Sequence, residues 1–459
     1  MKSHKAGKGA AVKPRIGVVG LAYGGYNLGE EMGPGKLQEM LGLLKDQPFD
    51  VVRAPGFVLD ETGAKAAGDY LAGQGVDCIL AVITTFVPDT FMVSLLDACD
   101  RPIFLWAVER EMACISVVCG PLITATLHNL EKPCRIAAAD IGDLAAMTEL
   151  GVFARAAMLV RVLSTMRVGY CGGKCPIMIS MATDEYALKR QLGVTTVTLP
   201  IEEFYQVAEA IPAKAVAAYW ADLTSGIGAV TASEEDGLLS SRYALAALKL
   251  AETHNLSALS LNCFPHLKSK ICLGVARLND AGIAAGCEGD LHATILMRLF
   301  QALSGRPTFN GDWLRLYPED KAVLFSHCGA GAFGLADSPE SVCLRCSIET
   351  RDGLAVCYAT HLPGPVTLAN LMMGRGDLRM AILQGQGLAT DLAYEGTPLR
   401  VGFEDDVKVL LNRIQQTGAG HHWVGGSGIW TEEFRIMSEM LNMKCHRLTG
   451  PQQTQGDVK

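Results

Sequence analysis

Two acids bracket one short stretch of the chain. Glu288 stands in Gly286-Cys287-Glu288-Gly289-Asp290-Leu291 and Asp312 in Asn310-Gly311-Asp312-Trp313, with a helical pattern over 292–302 between them. His327 follows in Leu324-Phe325-Ser326-His327-Cys328. Carboxylates and imidazole together suit a hard divalent ion of the Mn2+ type. Far downstream, His421 and His422 are enclosed by glycines in Gly418-Ala419-Gly420-His421-His422-Trp423-Val424-Gly425-Gly426. Glycine admits backbone conformations closed to other residues and lets the chain approach a ligand, so this stretch reads as a site loop, with a plain surface turn as the alternative. Taken singly, Glu288, Asp312, His327 and His422 are each more often solvated charge or a satisfied core histidine. Their joint occurrence is the signal.

In order and separation, Glu288, Asp312, His327 and the His421-His422 pair resemble the L-fucose and L-arabinose isomerase superfamily. The most specific local match is Gly-Cys-Glu-Gly-Asp followed by a helix containing Ala293-Thr294-Ile295-Leu296-Met297-Arg298, and Ser326-His327-Cys328 and Gly420-His421-His422 support it. Outside these motifs the likeness covers most of the chain loosely. The resemblance implies a divalent cation, Mn2+ or another such as Mg2+ or Co2+, held by Glu288, Asp312 and His422, with His327 as a further ligand. It implies that Glu288 and Asp312 act as base and acid between C2 and C1 of an open-chain aldose and its ketose, through a cis-enediolate. The second acid is aspartate, as in the fucose branch, where the arabinose branch has glutamate. The chain is shorter than typical fucose isomerases, so the sugar stays open among pentoses, 6-deoxyhexoses and hexoses with an anionic C6 group such as a sulfonate. Thr85, Lys174, Trp313, His421 and Trp423 are the candidate substrate contacts. Relatives in the superfamily are closed homo-oligomers, often hexamers, in which a neighbour's N-terminal lobe completes the pocket.

The elements that must position these residues alternate. Apolar runs at 15–21, 50–53, 78–82 and 103–106 are separated by helix-sized segments, the pattern of a doubly wound parallel sheet. Gly20-Leu21-Ala22-Tyr23-Gly24-Gly25 lacks the G-x-G-x-x-G spacing, which argues against NAD. Thr84 and Thr85 sit at a strand's carboxyl end, where such sheets present ligand groups, and helix capping explains them equally. His128 and Asn129 read as helix surface. A long helix over 145–166 precedes a second α/β unit, with strands at 167–173, 195–199 and 258–264 and helices at 184–192 and 201–210. Cys171-Gly172-Gly173-Lys174-Cys175 has Cys-x3-Cys spacing, unlike a zinc pair. It reads as a glycine-rich turn at a strand end, with Lys174 as an anion contact; Arg298 and Arg375 are the other cations considered, with surface roles as the commoner case. Beyond about residue 314 short strands at 342–348, 354–360, 366–372 and 377–386 suggest a barrel-like β domain, with Asp352-Gly353 as the clearest hairpin signal. A late amphipathic helix covers 430–441.

The expected architecture is therefore α/β, two tandem Rossmann-like lobes followed by a β-rich domain. The expected divisions are a flexible tail over 1–14, lobes over 15–165 and 166–310, and a C-terminal domain over 311–459, with the site between the last two. With 459 residues, 49% hydrophobic, a formal net charge of −8 and a pI near 5.7, the composition gives no reason to expect nucleic acid or an anionic membrane as partner. Fifteen cysteines, an odd number, and no secretory h-region fit reduced thiols and a cytoplasmic location. Two rival functions remain open: a non-catalytic two-lobed sugar sensor, and an epimerase or lyase using the same enediolate.

Overall fold

The computed structural model describes residues 11–25, 29–109, 115–392 and 396–450. Most of the expected N-terminal tail, residues 1–10, lies outside them, as do residues 451–459. The chain packs as two compact units, one of residues 12–161 with 432–441 and the other of residues 162–431 with 442 onward.

The first unit is a parallel sheet in the order Asp50–Arg53, Arg15–Leu21, Cys78–Ile83, Ile103–Val108, Cys134–Ala139. Its central strands Cys78–Ile83 and Ile103–Val108 are buried at every residue, as a parallel sheet covered on both faces requires. Helix Glu61–Gln74 starts where the Asp60 side chain accepts from Gly63 N and stops at Gly75, which is left-handed at φ 63°. The long helix Leu144–Thr165 lies where the sequence pattern places it. The late helix Thr431–Met440 also matches its amphipathic pattern, but residues 432–441 pack in this unit although the chain on either side belongs to the other. Glu433 is buried there against Arg155, 2.8 Å away. Periodicity reveals that a helix has an apolar face, not which unit that face will cover.

The second unit joins a parallel sheet to a barrel. The sheet runs Ala284–Gly286, Ala258–Leu261, Arg167–Cys171, Thr195–Leu199. The strands Gly364–Gly374, Trp423–Ser427, Phe309–Tyr317, Ala322–Ser326, Leu399–Gly402 and Asp377–Leu388 pair antiparallel in that order, and the last pairs back onto the first. Closure leaves no edge in the ring, and Lys444–Arg447 adds alongside Asp377–Leu388. Phe309, Phe325, Leu368, Leu383, Val401 and Trp423 fill the core. The tightest hairpin is Gly374–Asp377, with Arg375 and Gly376 both left-handed; the strands flanking Asp352-Gly353 do pair, but across a longer loop.

Helix Leu291–Ser304 welds the two parts together. It is buried nearly all round, Thr294 and Gln301 along with its apolar residues. One side packs on the parallel sheet and the other on barrel strands Gly364–Gly374 and Trp423–Ser427. Its first turn therefore meets the barrel at the carboxyl end of the sheet.

Close helix packing in the first unit depends on Gly68: a Cβ there would lie 2.5 Å from Leu95 O and 2.8 Å from Ala98 Cβ. Gly68→Ala is expected to destabilise the protein by about 1–3 kcal/mol. An unchanged urea midpoint would contradict this.

Candidate active site

Glu288 is delivered by a strained turn. Strand Ala284–Gly286 ends, and Glu288 and Gly289 then both take left-handed conformations, at φ 62° and 72°. For a glutamate this costs on the order of 1 kcal/mol, so the surroundings must hold it. They do so through backbone bonds: Gly289 N donates to Leu261 O at 3.1 Å, Asp290 N to Cys287 O at 3.1 Å, and Cys175 N to Glu288 O at 2.9 Å. A Cβ at residue 289 would overlap the Gly173 carbonyl, so the Gly172-Gly173-Lys174 turn and the Glu288 turn interlock only with glycine there. Asn262 ties the first of these down, donating to Gly172 O at 3.0 Å and Lys174 O at 3.1 Å.

The barrel brings the remaining residues by register. Asp312 pairs with Ser326, so His327 is next along; Gly311 pairs with Trp423, so His422 is next to Asp312 on the other side. Three neighbouring strands thus present Asp312, His327 and His422 at one end. Asn370, on Gly364–Gly374, fixes the glycine-framed loop by donating to His422 O at 2.6 Å and accepting from Gly420 N at 3.1 Å.

The side chains converge. His422 Nε2 lies 3.6 Å from Glu288 Oε2, 3.8 Å from Asp312 Oδ1 and 3.3 Å from His327 Nε2. Two sets of ligand atoms, one from Glu288, His327 and His422 and one from Asp312, His421 and His422, each fall within 4.8 Å of one another. Glu288 Oε2 and Asp312 Oδ1 are buried with no hydrogen-bond partner among the described residues. Buried carboxylate oxygens without donors are costly, and a divalent cation amid two carboxylates and two imidazoles would satisfy them. The donor set fits such an ion.

The electrostatics agree with that fit. Burial lowers the proton affinity of His422 and His327, yet both end above the ordinary histidine range. The Asp290 carboxylate raises His422, while Cys328, Glu288 and Asp312 raise His327. A field that draws protons to these rings also draws a metal ion. Burial pushes Asp290 up, but the hydrogen bond and charge of His422 bring it down to about 2.

The other expected contacts fall in several places. His421 stacks 4.2 Å from the His422 ring. The Trp313 ring lies edge-on to Phe325 at 5.3 Å, and its buried Nε1 has no partner among the described residues. Trp423 is fully buried in the barrel core. Lys174 stands in the interlocked turn, its Nζ donating to Cys175 O at 3.2 Å. Arg298 is partly buried on the central helix, Arg375 is at a hairpin tip, and Cys171 and Cys175 are buried free thiols. Thr85 is in the first unit, buried after strand Cys78–Ile83.

Sequence reasoning missed Asp290, whose Oδ2 accepts from His422 Nδ1 at 2.8 Å, although its place two residues after Glu288, just before a helix, was a readable capping signal. It also missed His292, whose Nε2 lies 2.7 Å from Thr183 Oγ1, and Asn370, for which no local signal exists.

No family model matches the chain. It is similar to sulfoquinovose isomerase of Priestia aryabhattai, 22% identical over 386 residues that cover 82% of this chain and 86% of that protein. It is also 22% identical over 380 residues to sulfoquinovose isomerase of Alkalicoccus urumqiensis, covering 80% and 85%. A shorter match, 25% over 201 residues, is to sulfoquinovose isomerase of a Clostridium species, covering 42% and 44%. All three are isomerases, in agreement with the enzyme class expected from the motifs.

His292 is held neutral mainly by burial, against the pull of Asp290. Its folded pKa lies below the unfolded value of about 6.5, so the unfolded chain binds the extra proton and stability falls as pH drops below about 6.5. Urea melts at pH 7.5 and 5.5 should show a smaller difference for His292→Gln than for wild type, and an equal difference would refute the assignment.

Proposed function

We propose that the chain is a metal-dependent aldose–ketose isomerase acting on a hexose with a sulfonate at C6, such as sulfoquinovose. The observation that carries this reading is the convergence of Glu288 Oε2, Asp312 Oδ1, His327 Nε2 and His422 Nε2, with both carboxylate oxygens buried and without a hydrogen-bond partner among the described residues. The names of the similar proteins supply the substrate class.

Glu288, Asp312, His422 and His327 would hold a divalent cation, Mn2+ or Mg2+ or Co2+. When bound, it supplies a Lewis acid that polarises the sugar carbonyl and steadies the negative charge that develops on oxygen. Glu288 and Asp312 move the protons. One carboxylate removes the proton from C2, and the electrons of that bond form the C1–C2 double bond of the enediolate. The C1 carbonyl pair moves onto O1; a proton is then returned to C1 on the C1–C2 π electrons, while the proton of the C2 hydroxyl passes to O1 and the freed O2 pair forms the C2=O bond, leaving the ketose. His421 and Trp313, beside the donor cluster, are the proposed walls for the sugar chain. Lys174, on the turn interlocked with Glu288, is the proposed partner for the C6 anion, and Thr85 would reach the sugar from a neighbouring copy of the chain, as the family resemblance implies. A cytoplasmic homo-oligomer belongs to this reading and rests on the family resemblance.

NMR in D2O with a panel of aldoses, including 6-deoxy and 6-sulfo sugars, tests it. Ketose formation with deuterium entering at C1 of the ketose or C2 of the aldose is expected from the 6-sulfo sugar, and EDTA should abolish it. Glu288→Gln and Asp312→Asn should each lower turnover by about 10²–10⁴-fold with the melting temperature retained. Full activity in EDTA would overturn the metal, and a C2 epimer or a cleaved chain as the main product would replace the isomerase by an epimerase or a lyase.

A further inference from the structure

Asp290 uses its two carboxylate oxygens for different tasks. Oδ1 accepts from Ala293 N at 2.9 Å and so caps helix Leu291–Ser304. Oδ2 accepts from His422 Nδ1 at 2.8 Å. Both residues are buried, with relative exposures of 8% and 3%, so water does not compete strongly for either group. An imidazole that donates from Nδ1 keeps its lone pair on Nε2 when neutral. Nε2 is the atom that faces Glu288, Asp312 and His327.

We infer that Asp290 is a positioning residue, which holds His422 in the Nδ1–H tautomer so that the Nε2 lone pair points into the donor cluster. The inference deepens the metal-dependent reading and rests on it for its consequence, though the tautomer itself exists with or without an ion. A carboxylate behind a ligating histidine fixes ring orientation and raises ligand basicity. The other imidazole is backed differently, with Cys328 Sγ 3.3 Å from His327 Nδ1.

A plain helix cap is the competing explanation, and chemistry separates the two. Asparagine caps a helix as well as aspartate does. Its Oδ1 would keep the bond from Ala293 N, but its amide would meet His422 Nδ1 with N–H groups in place of an acceptor. His422 would then accept at Nδ1 and carry its proton on Nε2, where it blocks a cation. Asp290→Ser likewise keeps a cap and removes the carboxylate without adding a facing donor.

The test uses full-length protein labelled with 15N-histidine, at pH 9, with His422 resonances assigned by their loss in His422→Gln. Mn2+ binding is followed in parallel by EPR titration. Wild type should show Nδ1–H at His422, and Asp290→Asn should show Nε2–H with Mn2+ bound about 10–100-fold more weakly and the apo melting temperature nearly unchanged. Asp290→Ser should lie between them, and it serves for the same comparison where the asparagine variant does not fold. Wild-type tautomer and Mn2+ affinity in the variants would overturn the inference and leave Asp290 as a cap alone. A wild-type Nδ1–H tautomer that switches in Asp290→Asn, in a protein that binds no Mn2+, would uphold the positioning role and overturn the metal reading instead.

Discussion

The bond between His422 Nδ1 and Asp290 Oδ2 joins the barrel to the first turn of the buried helix. On one side of it lies the parallel sheet that ends in the Glu288 turn, and on the other lie the strands that bring Asp312 and His327. Two carboxylates and two imidazoles with lone pairs directed at one spot repel one another, and a flexible scaffold would let them turn away. Here three of the four are restrained. Glu288 is locked by backbone bonds through an unfavourable φ, His422 by Asp290 and Asn370, and Asp312 by its place inside a strand. This is the expense of preorganisation, borne by the fold so that a ligand finds the donors already in place.

The architecture distributes that work. The parallel sheet offers turns at its carboxyl edge, and these carry Glu288, Asn262 and the Gly172-Gly173-Lys174 loop. The barrel offers exact pairing register, which sets Asp312 between the chain positions of His327 and His422 without any special local sequence. Helix Leu291–Ser304 is buried nearly all round because both partners grip it.

Much of this was readable from the chain. The alternation of apolar runs with helical segments marked both parallel sheets, since a strand buried on two faces has few polar residues to blur the pattern. Gly289 after Glu288 and Gly418 before the His421-His422 pair, both left-handed, marked turns that glycine takes most readily. The helix over 291–304 was legible by its composition. Less legible were Asp290, which reads as an ordinary cap until its second oxygen is seen to face His422, and Asn370, a lone polar residue in an apolar strand. The helix Thr431–Met440 was visible as a helix but its destination was not.

The sequence by itself determined which residues could carry the proposed chemistry, because donor types, glycine placement and helix signals are local properties written in neighbouring letters. It also determined that the lobes are α/β and that the last part is β-rich. Only the tertiary structure decided that residues as far apart as Glu288 and His422 meet within a few ångströms, which oxygens are left without partners, and which nitrogen of His422 is held. These depend on strand register and on the packing of one helix between two layers, and register is a long-range property that no local spacing encodes.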